Sequence, residues 1–144
     1  MADIADIRTR LLTATQPEEL LTAALEAFTL ALAVCHARQD PTDPRFTAFV
    51  MAAIHAAEGR DAIAFAPSLP AGSLAAQTEP GQGIDGNPES GFSATDLAEL
   101  FAVLREELAQ LAQTAIRPAD RQACADGSRC ARAIHRLLGQ PDRT

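Results

Sequence analysis

The sequence predicts an all-α fold, a small bundle of four to five helices. Three observations carry that expectation. Alanine and leucine supply 31 and 16 of the 144 residues, against three valines and seven isoleucines. Strong helix formers therefore far outnumber β-branched strand formers. Apolar residues also recur at steps of three and four, the period of one helix face. Finally, proline, acidic and small polar residues stand where helices should begin and end.

The first helical segment is short, 4–12, with Ile4, Ile7, Leu11 and Leu12 on one side. Thr15-Gln16-Pro17-Glu18-Glu19 then reads as a helix start. It offers a capping hydroxyl, a proline for the first turn and two acids for the positive end of the dipole. The second helix runs to Arg38, with Leu21, Leu25, Phe28, Leu32 and Cys35 at alternating steps of four and three. Alanines fill its flanks, and only Thr22, Glu26, Thr29 and His36 form a narrow polar strip. A helix apolar around most of its girth must be covered on several sides. Its cover is either the rest of the bundle or another chain.

Asp43 and Pro44 read as the N-cap and first residue of a third helix. Phe46, Phe49, Val50, Ala53, Ile54 and Ala57 line one of its faces, and Thr47, Met51, His55 and Glu58 the other. Gly59 is the expected stop. Residues 67–92 hold four prolines and five glycines and keep no period. They read as a long irregular Pro/Gly-rich crossing between helices three and four. Ser93 and Asp96 then suggest a capping box. In the fourth helix Leu97, Phe101, Leu104, Leu108, Leu111 and Ala115 form a coiled-coil-like seam. Pro118 opens the last segment, which Asp126-Gly127 is expected to break into two short helices. The organisation is thus a single domain over 1–144, with helical regions over 1–66 and 93–144 joined by a linker over 67–92.

Composition excludes several chemistries. The 12 basic residues are all arginine, and lysine, tyrosine and tryptophan are absent. No lysine Schiff base, P-loop lysine or tyrosine acid is available. The net charge of −7 argues against a general nucleic-acid or anionic-membrane binder. The balance is uneven, since residues 117–144 carry six arginines and three acids. The N-terminus is acidic where a secretory leader is basic, so the expected location is cytoplasmic. The apolar stretch 20–37 contains Glu26, which would cost a few kcal/mol in a bilayer, so no membrane insertion is expected. Three cysteines in such a chain read as reduced thiols.

Local motifs have mostly structural explanations. Gly81-Gln82-Gly83-Ile84-Asp85-Gly86 matches the dinucleotide pattern in letters. It lacks the strand and helix that hold a pyrophosphate, so it reads as linker. Asp85, Asn87, Glu89 and Asp96 have partial calcium-loop spacing, but Ser90 stands where the turn needs glycine. Cys124, Cys130 and His135 have neither the number nor the spacing of a zinc site, and no metal or cofactor is assigned. Cys35, Cys124 and Cys130 remain candidate thiols, with Cys124 and Cys130 able to pair only if Gly127 folds the chain back. Glu58 lies three residues after His55, an ordinary helix-surface pairing. Arg129, Arg132 and Arg136 fall on one face and form the candidate anion-binding surface. The 119–136 region has the outline of a helix-turn-helix, but Gln122, Asp126 and Arg136 stand at positions that such a motif keeps apolar.

Three functional expectations follow. The leading one is a non-enzymatic interaction module, an accessory, adaptor or assembly subunit with a protein partner or self-association. Its candidate interface is Leu21, Leu25, Phe28 and Leu32 on the second helix and Leu97, Phe101, Leu104 and Leu108 on the fourth. The first alternative is a DNA-binding regulator using the basic C-terminal hairpin. The second is a small-ligand or thiol-based redox-sensing bundle.

Overall fold

The computed structural model describes residues 4–70 and 94–139. Five helices occupy them: α1 (Ile4–Thr13), α2 (Pro17–Ala37), α3 (Phe46–Ala64), α4 (Ala94–Thr114) and α5 (Pro118–Gly139). No strand occurs among the described residues. The all-α bundle expected from composition is the observed architecture. The readings placed on 71–93, including Gly81 to Gly86, the Asp85–Asn87–Glu89 spacing and the Ser93 cap, lie outside the described residues.

Local chemistry sets the helix starts. Gln16 is extended (φ −120°, ψ 145°) and Pro17 opens α2. The N–H groups of Glu19 and Leu20 donate to the Gln16 carbonyl at 3.1 and 3.2 Å. The cap is therefore the Gln16 backbone, and the expected capping hydroxyl is not used. Asp43 acts one turn ahead of α3. Its Oδ1 accepts from Arg45 N–H at 2.8 Å, and its carbonyl accepts from Phe46 N–H at 3.0 Å.

Two glycines expected to interrupt helices do not. α3 continues through Gly59 to Ala64, and α5 runs unbroken through Gly127. Both stand at close approaches between helices instead. A Cβ on Gly59 would fall 2.3 Å from Phe28 Cε1. One on Gly127 would fall 3.0 Å from Ile63 Cδ1 and 3.1 Å from Leu108 Cδ1. Gly127 is thus where α3, α4 and α5 converge. Each glycine costs helix propensity, roughly 1 kcal/mol, which the packing across it offsets.

α2 is the centre of the core. Leu21, Ala23, Ala24, Leu25, Ala27, Phe28, Ala31 and Cys35 are wholly buried. α2 packs on α1, α3 and α4, while α5 packs most extensively on α4 and α3. The alanine flanks let these helices approach closely. Phe28 meets Phe101 of α4 with ring centroids 5.4 Å apart and planes tilted by 57°. The polar strip of α2 is satisfied locally. Thr22 and Thr29 hydroxyls donate to the carbonyls of Glu18 and Leu25, each at 2.8 Å. Glu26 pairs with Arg10 of α1, whose Nε also lies 3.2 Å from Asp6. By length and mean hydropathy (1.7) α2 could cross a membrane, but a covered core helix passes the same test.

At one end of the bundle a groove joins the start of α2 to the end of α4. At the opposite end, Arg45 Nη2 donates to the Leu138 carbonyl at 2.8 Å, closing the C-terminus of α5. α3 and α4 therefore run in the same direction.

Candidate functional site

Leu21, Leu25, Phe28, Leu97, Phe101, Leu104 and Leu108, the interface residues expected from periodicity, are all fully buried within the chain's own core. Leu32 is half-buried against it. The seams of α2 and α4 face the rest of the bundle and are not available to a partner. Periodicity locates the core but does not say which chain covers it.

Arg129, Arg132 and Arg136 do share an exposed face of α5. Arg129 is engaged, with Nη2 3.0 Å from Asp126 Oδ1 on the same helix. Because α5 is one continuous element, the basic hairpin of the DNA-binding alternative does not exist. Its two halves are successive turns of one helix.

The thiols are equally separated. Cys124 and Cys130 lie six residues apart along α5, about 9 Å of helical rise, beyond the reach of a disulfide. Cys35, Cys124 and Cys130 are all free and buried. Burial pushes Cys35 up to about 11 despite the opposing charge of Arg38. Burial and then the nearby Asp120 push Cys124 up to about 12. Burial and then Glu58 push Cys130 up to about 11. Thiols so protonated are poor nucleophiles near neutral pH, which weakens the redox-sensing alternative.

Two arrangements are not legible in the sequence. The first is a side-chain cluster across α3 and α5. His55 and Glu58 stand one turn apart on α3, with His55 Nδ1 3.9 Å from Glu58 Oε2. Cys130 of α5 meets them, so that one donor atom of each residue lies within 4.8 Å of the other two. His55 is half-buried, Glu58 exposed and Cys130 buried. His135, the partner suggested by proximity in sequence, is elsewhere. Its Nδ1 lies 2.9 Å from the Ala98 carbonyl, which it holds by donating its proton. The pairing of His55 with Glu58 is readable from spacing; the third member depends on how α3 and α5 are set against each other.

The second is the groove at the end of the bundle, with a volume of about 440 Å³. The α1–α2 turn forms one wall, through Ala14, Pro17 and Leu20. The end of α4 and the α4–α5 turn form the other, through Leu111, Ala115 and Ile116. Ser68 and Asp120 supply its polar floor. Asp120 is 3% exposed and accepts from Ser68 twice, from N–H at 3.0 Å and from Oγ–H at 2.6 Å. This pins the chain after α3 onto the first turn of α5. Several apolar side chains face solvent. Ile116 is 92% exposed, Phe65 84% and Leu12 57%. Ile116 lines the groove itself, and the other two lie within three residues of Ser68 and Ala14 respectively.

Comparison with known proteins adds no relative: no family model matches the sequence, no curated protein matches it, and no solved structure matches the fold.

Proposed function

We propose that the chain is a non-enzymatic protein–protein interaction module, an accessory or assembly subunit that docks an apolar partner segment over the end of the bundle. The observation that carries this reading is the 92% exposure of Ile116 on the wall of a groove also lined by Ala14, Pro17, Leu20, Leu111 and Ala115. Phe65 and Leu12 are exposed as well and stand close in sequence to residues of its lining. Single exposed apolar residues are normal on any protein and call for no explanation. One that stands on the wall of a cavity does, as Ile116 does here, because covering a large aliphatic side chain yields roughly 1.5–3 kcal/mol. The groove supplies shape, and its polar floor is already satisfied by the Ser68–Asp120 bonds. Asp120 therefore presents no unpaired buried charge to a partner, and the charged lining residues Glu107 and Arg117 lie at half-buried and exposed positions. This surface replaces the α2 and α4 seams as the interface. A second copy of the chain is one such partner.

The test is capture from the native cell using the full chain and the variant Phe65→Glu with Ile116→Glu. Both positions are exposed, so the variant keeps its melting temperature. A protein recovered by the wild type and lost by the variant is the expected result. Identical recoveries, or none together with concentration-independent melting, would overturn the reading.

A further inference from the structure

From the His55–Glu58–Cys130 cluster we infer that the chain binds a zinc ion between α3 and α5, through imidazole, carboxylate and thiolate. This inference is independent of the docking surface at the end of the bundle.

The donor set selects the metal class. A thiolate with an imidazole favours a borderline ion such as Zn²⁺ over the hard cations Mg²⁺ and Ca²⁺, which take oxygen ligands. The geometry is close to what that ion requires. Tetrahedral bonds of about 2.0–2.3 Å place neighbouring ligand atoms roughly 3.3–3.6 Å apart. Here the imidazole nitrogen and carboxylate oxygen are already 3.9 Å apart, and all three donor atoms lie within 4.8 Å. Contraction by roughly an ångström closes the site. His55 and Glu58 can manage that by side-chain rotation, because one is half-buried and the other exposed.

The backbone supports the arrangement. A histidine and a glutamate three residues apart lie on one helix face, a pairing that helical bundles use to hold metals. The third ligand comes from a different helix. Its position is held by the α3–α5 packing, which Gly127 makes close on the preceding turn of α5. Cys130 is 5% exposed, so its sulfur is shielded on the protein side and met by His55 and Glu58 on the other.

Binding exchanges the thiol proton of Cys130 for the metal. The sulfur keeps its electron pair and bonds the ion, and the proton leaves to solvent. No oxidant or reductant is involved. Three protein ligands leave a fourth position, which takes a water molecule. The ion ties α3 to α5 and is therefore a ligand of the folded state alone.

Titration of the full chain with Co²⁺, a spectroscopic substitute for Zn²⁺, tests this. The expected result is one Co²⁺ per chain, with a sulfur-to-cobalt charge-transfer band in the near ultraviolet that Zn²⁺ abolishes. Cys130→Ala should lose the band, whereas Cys124→Ala should keep it. His55→Ala and Glu58→Ala should each weaken Zn²⁺ binding by more than about tenfold, since even outer partners of metal ligands are worth that much. These two substitutions alter half-buried and exposed positions, so they carry the test should Cys130→Ala not fold. No charge-transfer band in the wild type, a band unchanged in Cys130→Ala, or affinity unchanged in both α3 variants would overturn the inference.

Discussion

Gly59 lies directly against the ring of Phe28: a Cβ added to the glycine would sit 2.3 Å from Cε1 and 2.5 Å from Cζ. The ring has little freedom to retreat, because it is fully buried and packs on Phe101 from the other helix. Gly59→Ala should therefore destabilise the protein. Overpacking of this kind costs about 1–3 kcal/mol, and the better helix propensity of alanine returns about 1 kcal/mol at most. Gly127→Ala is the contrasting case. The tight contacts of its new methyl would be the terminal Cδ1 atoms of Ile63 and Leu108, at 3.0 and 3.1 Å, with Ile63 Cγ1 at an ordinary 3.5 Å. Flexible tips can give way by a few tenths of an ångström, so its net effect should be within about 1 kcal/mol. Urea unfolding of the two variants checks the order. A Gly127 variant weaker than the Gly59 variant would contradict this packing.

These glycines also show where sequence reasoning stops. The cores of α2 and α4 are legible residue by residue, because an apolar side chain every three or four positions leaves the helix few ways to face. Gly59 and Gly127 read as a stop and a break because local propensity is all that a single chain segment displays. Their actual role depends on Phe28, Ile63 and Leu108, which lie on other helices. The same limit applies to the site. His55 and Glu58 are visible as a pair, but Cys130 joins them only through the register of α5 on α3. The buried seams resemble an interface for a related reason: a stripe records that it must be covered and not by which chain.

The bond pair between Asp120 and Ser68 predicts an asymmetric mutational response. Asp120→Ala would leave the half-buried Ser68 N–H and hydroxyl without their acceptor. It would also remove an acid from the first turn of α5, where the helix dipole favours it. A loss of about 1–3 kcal/mol is expected. Ser68→Ala removes only the hydroxyl bond and should cost less, roughly 0.5–1.5 kcal/mol. Chemical denaturation measures both. Amide exchange at 65–69 should accelerate in Asp120→Ala, because this contact pins that segment to α5.

Alkaline pH isolates the cysteines. The chain has no lysine and no tyrosine, so between about pH 9 and 12 its titrating side chains are the three thiols. Each is raised on folding, from an ordinary 9.0 to about 11 for Cys35 and Cys130 and about 12 for Cys124. The unfolded chain therefore loses these protons first. Stability is complete below about pH 9 and falls as pH rises towards the folded values. Thermal melting from about pH 8 to 11 should show this decline. Cys35→Ala should make it shallower by removing one of the three contributions. In the native protein at about pH 8, alkylation of all three thiols should be slow and should become fast on unfolding. Mild oxidation should form no Cys124–Cys130 bridge, because one continuous helix holds the two sulfurs apart.

Arg10 and Glu26 test how the polar strip of the core helix is accommodated. Glu26 is only 18% exposed and is paired to Arg10, which also lies beside Asp6. Removing the cation alone strands a largely covered carboxylate, whereas removing both members restores an apolar contact between α1 and α2. Arg10→Met should therefore cost about 1–3 kcal/mol, while Arg10→Met with Glu26→Leu should recover most of that loss or exceed wild-type stability. The coupling in a double-mutant cycle should be well above the few tenths of a kcal/mol seen for independent sites. Additive effects would mean that α1 is held by Ile7 and Leu11 alone, both nearly inaccessible to solvent. In that case the pair would act only to let α2 carry a glutamate within an otherwise apolar surface.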